Sequence, residues 1–146
     1  MTLLRQKKEE MPKTHKVIVA IGSNHNRHAN MQKAMLLMHR HLDYTVFSTA
    51  IDTAPIGIES AMFLNAIASA YTTLSMSETI AMLKGIEAEC GNSAKLRNEG
   101  KIAIDIDLLQ YDDERLHNAD WERDYIKQLL KDLEEKNQQH PSTIKI

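Results

Sequence analysis

An α/β (α+β) sandwich is predicted by the succession β-α-β-β-α-β-α. Three patterns set that order: a β-branched apolar run from Lys16 to Ile21, methionines at helical spacing behind it, and a capping box at Ser75. The succession suits a ferredoxin-like split βαβ sandwich, an antiparallel sheet with helices on one face and the other face free to bind something.

Each element has a local reason. Lys16 to Ile21 ends at Gly22-Ser23-Asn24, a strand running into a turn. Met31, Met35, Met38 and Leu42 then fall at i, i+4, i+7 and i+11, one buried helical stripe, and the methionines read as core filling. Tyr44 to Thr53 reads as a strand, Pro55-Ile56-Gly57 as a loop, and Phe63 to Thr72 as a further strand. Ser75 with Glu78 opens a helix that runs to Cys90 and stops at Gly91-Asn92. On its apolar stripe, Met76, Ile80 and Leu83 are followed by Glu87, so a carboxylate faces the core and needs a partner. It either braces a basic or backbone group beside a site or reaches out to water. A last helix is expected over Asp120 to Lys136, with Glu122, Ile126, Leu129 and Leu133 in line.

A chain of 146 residues, 42% of them hydrophobic, is one domain with an ordinary core, placed at residues 15–137 between flexible tails at 1–14 and 138–146. Eighteen basic against twenty acidic residues give a net charge of -2, with no global attraction to nucleic acid or an anionic membrane. Two phenylalanines and four tyrosines, none in an RNP1-like run, argue against an RNA-binding sheet. The single cysteine excludes an internal disulfide, and with no apolar signal core or membrane-length run the expected location is the cytoplasm. Neither a G-x-x-x-x-G-K-[ST] loop nor a G-x-G-x-x-G run occurs, which excludes a P-loop kinase. His25 and His28 lack a third ligand at helical spacing and read as surface residues, as do His39 and His41.

The strongest chemical signal is Lys101-Ile102-Ala103-Ile104-Asp105-Ile106-Asp107-Leu108-Leu109. In a strand, Asp105 and Asp107 share one face with Cα atoms about 6.6 Å apart. Two anions so placed repel unless a cation lies beside them, and a magnesium–phosphate site resolves the conflict. The other reading is an edge strand with one wet face.

Several short motifs in order resemble the 6-hydroxymethyl-7,8-dihydropterin pyrophosphokinase family over Lys16 to Leu133. Ile21-Gly22-Ser23-Asn24 is similar to its I-G-S-N, Thr53-Ala54-Pro55-Ile56-Gly57 to its T-x-P-hydrophobic-G loop, and Phe63-Leu64-Asn65-Ala66 to its aromatic-L-N-A strand. Glu87 and Gly91 stand where the family closes its second helix, and Asp105-Ile106-Asp107-Leu108-Leu109 follows like its D-L-D-I-L. The resemblance implies transfer of pyrophosphate from ATP to a reduced pterin, releasing AMP, with small-molecule substrates and a monomer or homodimer. It also implies two Mg2+ held by Asp105 and Asp107. The pterin would be bound by Thr53, Pro55, Ile56, Gly57, Phe63, Asn65 and Tyr125. ATP would be met by Glu87, Lys95, Arg97, Lys101, Arg115, His117 and Arg123, the last acting in catalysis with the two aspartates.

Departures from the family cluster around ATP. Asn92, Ala94 and Ile102 stand where it has arginines and Glu99 where it has tryptophan, leaving Lys95, Arg97 and Lys101 as shifted cations. His117, Arg123 and Tyr125 keep its H-x5-R-x-aromatic spacing after a shortened stretch. A second register instead matches Arg115-Leu116 to a hairpin strand, which removes His117 and leaves Arg123. Two functions therefore stand at this point: an active pyrophosphokinase, and an inactive pterin- or nucleotide-binding relative.

Overall fold

A computed structural model describes residues 12–55 and 61–139. Strand β1 (His15–Ser23) lies at the centre of the sheet, antiparallel to β4 (Phe63–Thr72) on one side and to β5 (Asp105–Tyr111) on the other. Val17, Val19 and Ile21 alternate along β1 and are all but inaccessible, as expected of a central strand with both faces covered. Outside β4 run β2 (Asp43–Phe47) and β3 (Ile51–Thr53), and beyond β5 lies the short β6 (Glu114–Arg115).

Two helices cover one face. Helix α1 (Arg27–His41) buries Met31, Ala34, Leu37 and Met38, so the methionines are core. Helix α2 (Met76–Glu89) is closed at its start by reciprocal bonds, Glu78 N to Ser75 Oγ at 3.2 Å and Ser75 N to Glu78 Oε1 at 2.9 Å. It ends where Gly91 takes φ +87°, a left-handed conformation that glycine adopts without a Cβ penalty. Both helices pack on Val17, Val19, Ile21, Ala66, Ile104 and Ile106.

The α/β class with an antiparallel sheet holds, but the helices are not confined to one face. Helix α3 (Ala94–Asn98) is a short turn before β5, α4 (Asn118–Trp121) a single turn after β6, and α5 (Asp124–Gln139) crosses to the opposite face. There Ile126, Leu129 and Leu133 bury against Ile67 and Leu109, with Ile18 and Ala20 beside them. The reason lies in the pleat: Ile18, Ala20, Ile67 and Leu109 point away from α1 and α2 and are apolar, so this face also needs a cover. Burying three such α5 side chains stabilises the contact by about 1.5–3 kcal/mol each.

Three boundaries differ from the expected ones. The strand expected over Tyr44 to Thr53 is broken after Phe47, where Thr49 N is drawn to Asp132 Oδ2 on α5 at 2.7 Å; within β2 itself Tyr44 takes φ +51° and the register shifts between Asp43 and Val46. The aspartate strand starts at Asp105 rather than Lys101. The last helix is two pieces, and Glu122 lies exposed between them rather than on the buried stripe. Residues 1–11 and 140–146 of the assigned tails, and Ile56 and Gly57 of the loop, lie outside the described residues; 138–139 continue α5. Among the described residues no helix is long and apolar enough to cross a membrane.

Candidate active site

Where α5 begins, the second face of the sheet is polar. Gly22 of β1 stands opposite Asp105 of β5 on one side and Asn65 of β4 on the other, while Ala20 stands opposite Asp107. Two small residues on the central strand therefore leave a trough between the aspartates and the asparagine. Thr53 of β3, which pairs with Phe63, lies diagonally from Asn65, and Asn65 Nδ2 donates to its Oγ1 at 2.6 Å. A Cβ on Gly22 would lie 2.7 Å from Asn65 Oδ1, so only glycine lets this amide keep its place. The result is a cleft of about 260 Å³ bounded by Thr53, Phe63, Asn65, Asp105 and Asp107 from the sheet and by Asp120, Arg123, Tyr125 and Ile126 from the start of α5.

The segment that leads into β5 is fixed by the turn after β1. Asn24 Oδ1 accepts from Ile102 N at 2.6 Å, its Nδ2 donates to Gly100 O at 3.0 Å, and its own N–H donates to Ile102 O at 3.0 Å. An asparagine offers donor and acceptor on one short side chain, which suits it to grip a passing backbone in this way. Asp105 thus leaves a clamped loop rather than a free one.

Charge is dense at this end. Asp105 pairs with Arg97 of α3, and Arg123 Nε donates to Asp120 Oδ1 at 3.2 Å. Burial lifts the Asp107 carboxyl above the usual carboxylate range; His117 and Lys84 oppose the rise, and Asp105 and Asp120 add to it. Beneath the pair, Glu87 is only 6% exposed, and its Oε2 accepts from Ile106 N at 2.7 Å and from Lys84 Nζ at 3.1 Å. The core-facing carboxylate therefore braces backbone between the two aspartates.

Thr53, Phe63, Asn65, Asp105, Asp107, Arg123 and Tyr125 come together in the cleft. Pro55 does not line it. Glu87 lies below β5, and His117 lies on the outer side of β5, in a hollow of about 200 Å³ shared with Ile80, Lys84, Asp107 and Leu108. Arg115 stacks on Trp121, its guanidinium carbon 4.0 Å from the ring centroid, and so points its charge elsewhere. Lys95 and Lys101 are exposed and line neither cavity. Two neighbours went unread in the sequence. Lys84 lies one turn before Glu87 and Asp120 one turn before Arg123, so an i,i+3 search around each candidate would have found both.

The donor set suits magnesium. Asp105 and Asp107 offer hard oxygens from one face of a strand, both lining the same cleft. Among the described residues no three His, Cys, Asp or Glu side chains converge to hold a metal unaided. Magnesium is commonly bound by one or two carboxylates together with substrate phosphates, so two carboxylates are enough of a protein contribution.

Comparison with known proteins agrees with the motif pattern. The family model described as 7,8-dihydro-6-hydroxymethylpterin-pyrophosphokinase matches residues 18–135. The mitochondrial folate synthesis bifunctional protein of Pisum sativum is 32% identical over 128 residues, covering 80% of this chain and 25% of that protein. The 2-amino-4-hydroxy-6-hydroxymethyldihydropteridine pyrophosphokinase of Bacillus subtilis (strain 168) is 32% identical over 102 residues, covering 67% of this chain and 60% of that protein. The chain thus spans a quarter of the length of one relative and three fifths of the other.

Proposed function

Because the chain belongs to the 7,8-dihydro-6-hydroxymethylpterin-pyrophosphokinase family, we propose that it transfers a pyrophosphoryl group from ATP to the primary hydroxyl of 6-hydroxymethyl-7,8-dihydropterin, releasing AMP. One observation carries the reading: a single cleft has Asn65 and Thr53 at one end and Asp105 and Asp107 at the other. The first end matches the edge of a heterocycle. Asn65 lines the cleft and already donates to Thr53, which fixes its amide, and an amide offers both donor and acceptor to a heterocycle edge. Phe63 and Tyr125 give a flat ring aromatic walls.

At the other end the acceptor hydroxyl attacks the β-phosphorus while the α-β bridging oxygen leaves with AMP. Magnesium held by Asp105 and Asp107, two ions by the family resemblance, would neutralise the charge that collects on the phosphates and the leaving oxygen. Arg123 presents the N–H donors not used by Asp120 to a phosphate. Glu87 keeps the backbone between the aspartates in register. Catalysis on this reading is mainly positioning and electrostatics.

A second reading, a pterin- or nucleotide-binding relative without transfer, is favoured by the engagement of Arg97 with Asp105 and of Arg123 with Asp120. Mixing the protein with magnesium, ATP and the pterin, and following AMP against a control without pterin, separates the two. Pterin-dependent AMP supports the kinase. Calorimetric pterin binding with no AMP supports the binding relative.

A further inference from the structure

We propose that Lys84 is a phosphate-contacting residue of this site, its ammonium meeting an oxygen of the ATP phosphate chain on the outer side of β5. The inference rests on the pyrophosphokinase reading and adds a residue that neither the motifs nor the cleft itself points to.

Lys84 Nζ lies 3.1 Å from Glu87 Oε2 and 4.0 Å from Asp107 Oδ1. The first distance is a hydrogen bond and the second is too long for one, so an ammonium with three donors has one of them held and others to offer. Glu87 fixes where that ammonium stands, because the same oxygen also accepts from Ile106 N at 2.7 Å. The lysine side chain is 54% exposed although its partner is buried, so its charge faces outwards.

Position adds to this. Lys84 lies on the ridge between two cavities, the hollow with His117, Asp107 and Leu108 and the groove with Asn92, Ser93 and Arg97. An extended ligand that crosses from one to the other passes the ammonium. Of the neighbouring arginines, Arg97 is held by Asp105 and Arg115 lies on the Trp121 ring, which leaves Arg123, with the donors that Asp120 does not use, and Lys84 to meet phosphate. A polyanion approaching Asp105, Asp107 and Glu87 meets three carboxylates, and Lys84 is a cation beside two of them with donors to spare.

The test compares wild type with Lys84→Met and Lys84→Arg. ATP KM and kcat come from pterin-dependent AMP release, and affinities for a non-hydrolysable ATP analogue, adenosine and pterin come from calorimetry. A lost charge-assisted bond to phosphate predicts that Lys84→Met raises the ATP KM and weakens the analogue about tenfold or more, with adenosine and pterin unchanged and Lys84→Arg largely restored. Wild-type affinity for the analogue in Lys84→Met overturns the proposal. So does equal weakening of analogue, adenosine and pterin with a lowered Tm, the behaviour of a mere counter-ion to Glu87. Should wild type release no AMP, the kinase reading fails separately. Lys84 is then decided by whether the preference for the analogue over adenosine shrinks in Lys84→Met, and a preference that is unchanged or absent in wild type overturns it.

Discussion

Around Asn65 the cleft is neutral and built on paired strands, whereas around Asp105 and Asp107 it is charged and its cations come from helices and short turns. Thr53, Phe63 and Asn65 lie on β3 and β4, locked by register, and their polar atoms bond to each other. Arg97 and Arg123 lie on α3 and just before α5, and each is bonded to a carboxylate of the same end. The neutral end is set before any ligand arrives. The charged end is partly paired within itself, so a metal at Asp105 would displace Arg97, while a phosphate would meet the donors that Arg123 and Lys84 keep free.

Four substitutions probe this contrast. Asp107→Ala should lower pterin-dependent AMP release by about a thousandfold or more while leaving pterin affinity within a few-fold. Retained turnover would move the chemistry away from the charged end. Glu87→Ala leaves the buried Ile106 N–H without its acceptor and should cost about 2 kcal/mol in urea unfolding, with turnover falling as well. Unchanged stability would mean that the brace is dispensable. Gly22→Ala presses a methyl against Asn65 Oδ1 and should cost about 1–2 kcal/mol and weaken pterin binding more than ATP binding. Equal loss of both ligands would show that the two ends are mechanically one. Arg115→Ala removes only the contact with Trp121, so it should change stability by about 0.5–1 kcal/mol and leave the ATP KM unaltered. A raised KM would return Arg115 to the nucleotide.

What could be read beforehand follows from how local the determining forces are. The capping box at Ser75 and Glu78 needs only four residues, and it forms as the spacing predicts. Period-two alternation placed Asp105 and Asp107 on one face together with Leu109, and the helical stripe placed Glu87 inward. The face that α5 covers was not legible, because the stripe of Ile126, Leu129 and Leu133 says that the helix has a partner without saying which side of the sheet supplies it. Likewise the break after Phe47 depends on Asp132, which lies 83 residues from Thr49. Arg115 entered the nucleotide set through the family resemblance, which carries over a position in sequence, while the ring that engages it here is visible only in the fold.

Glu87 has one more consequence, for how the molecule behaves in a crowd. Among the described residues, the side of β5 away from β1 is paired by β6 at Gln110 and Tyr111 alone, so the rest of that edge would otherwise present an open template to an extended segment of another chain. At Ile106 the template is closed by a carboxylate from the molecule's own helix. An incoming strand must displace that bond and bring its backbone against the negative charge of Asp105 and Asp107. The carboxylate that steadies the candidate catalytic strand also keeps that edge from recruiting neighbours, so the feature that serves chemistry in dilute solution serves solubility in a concentrated one.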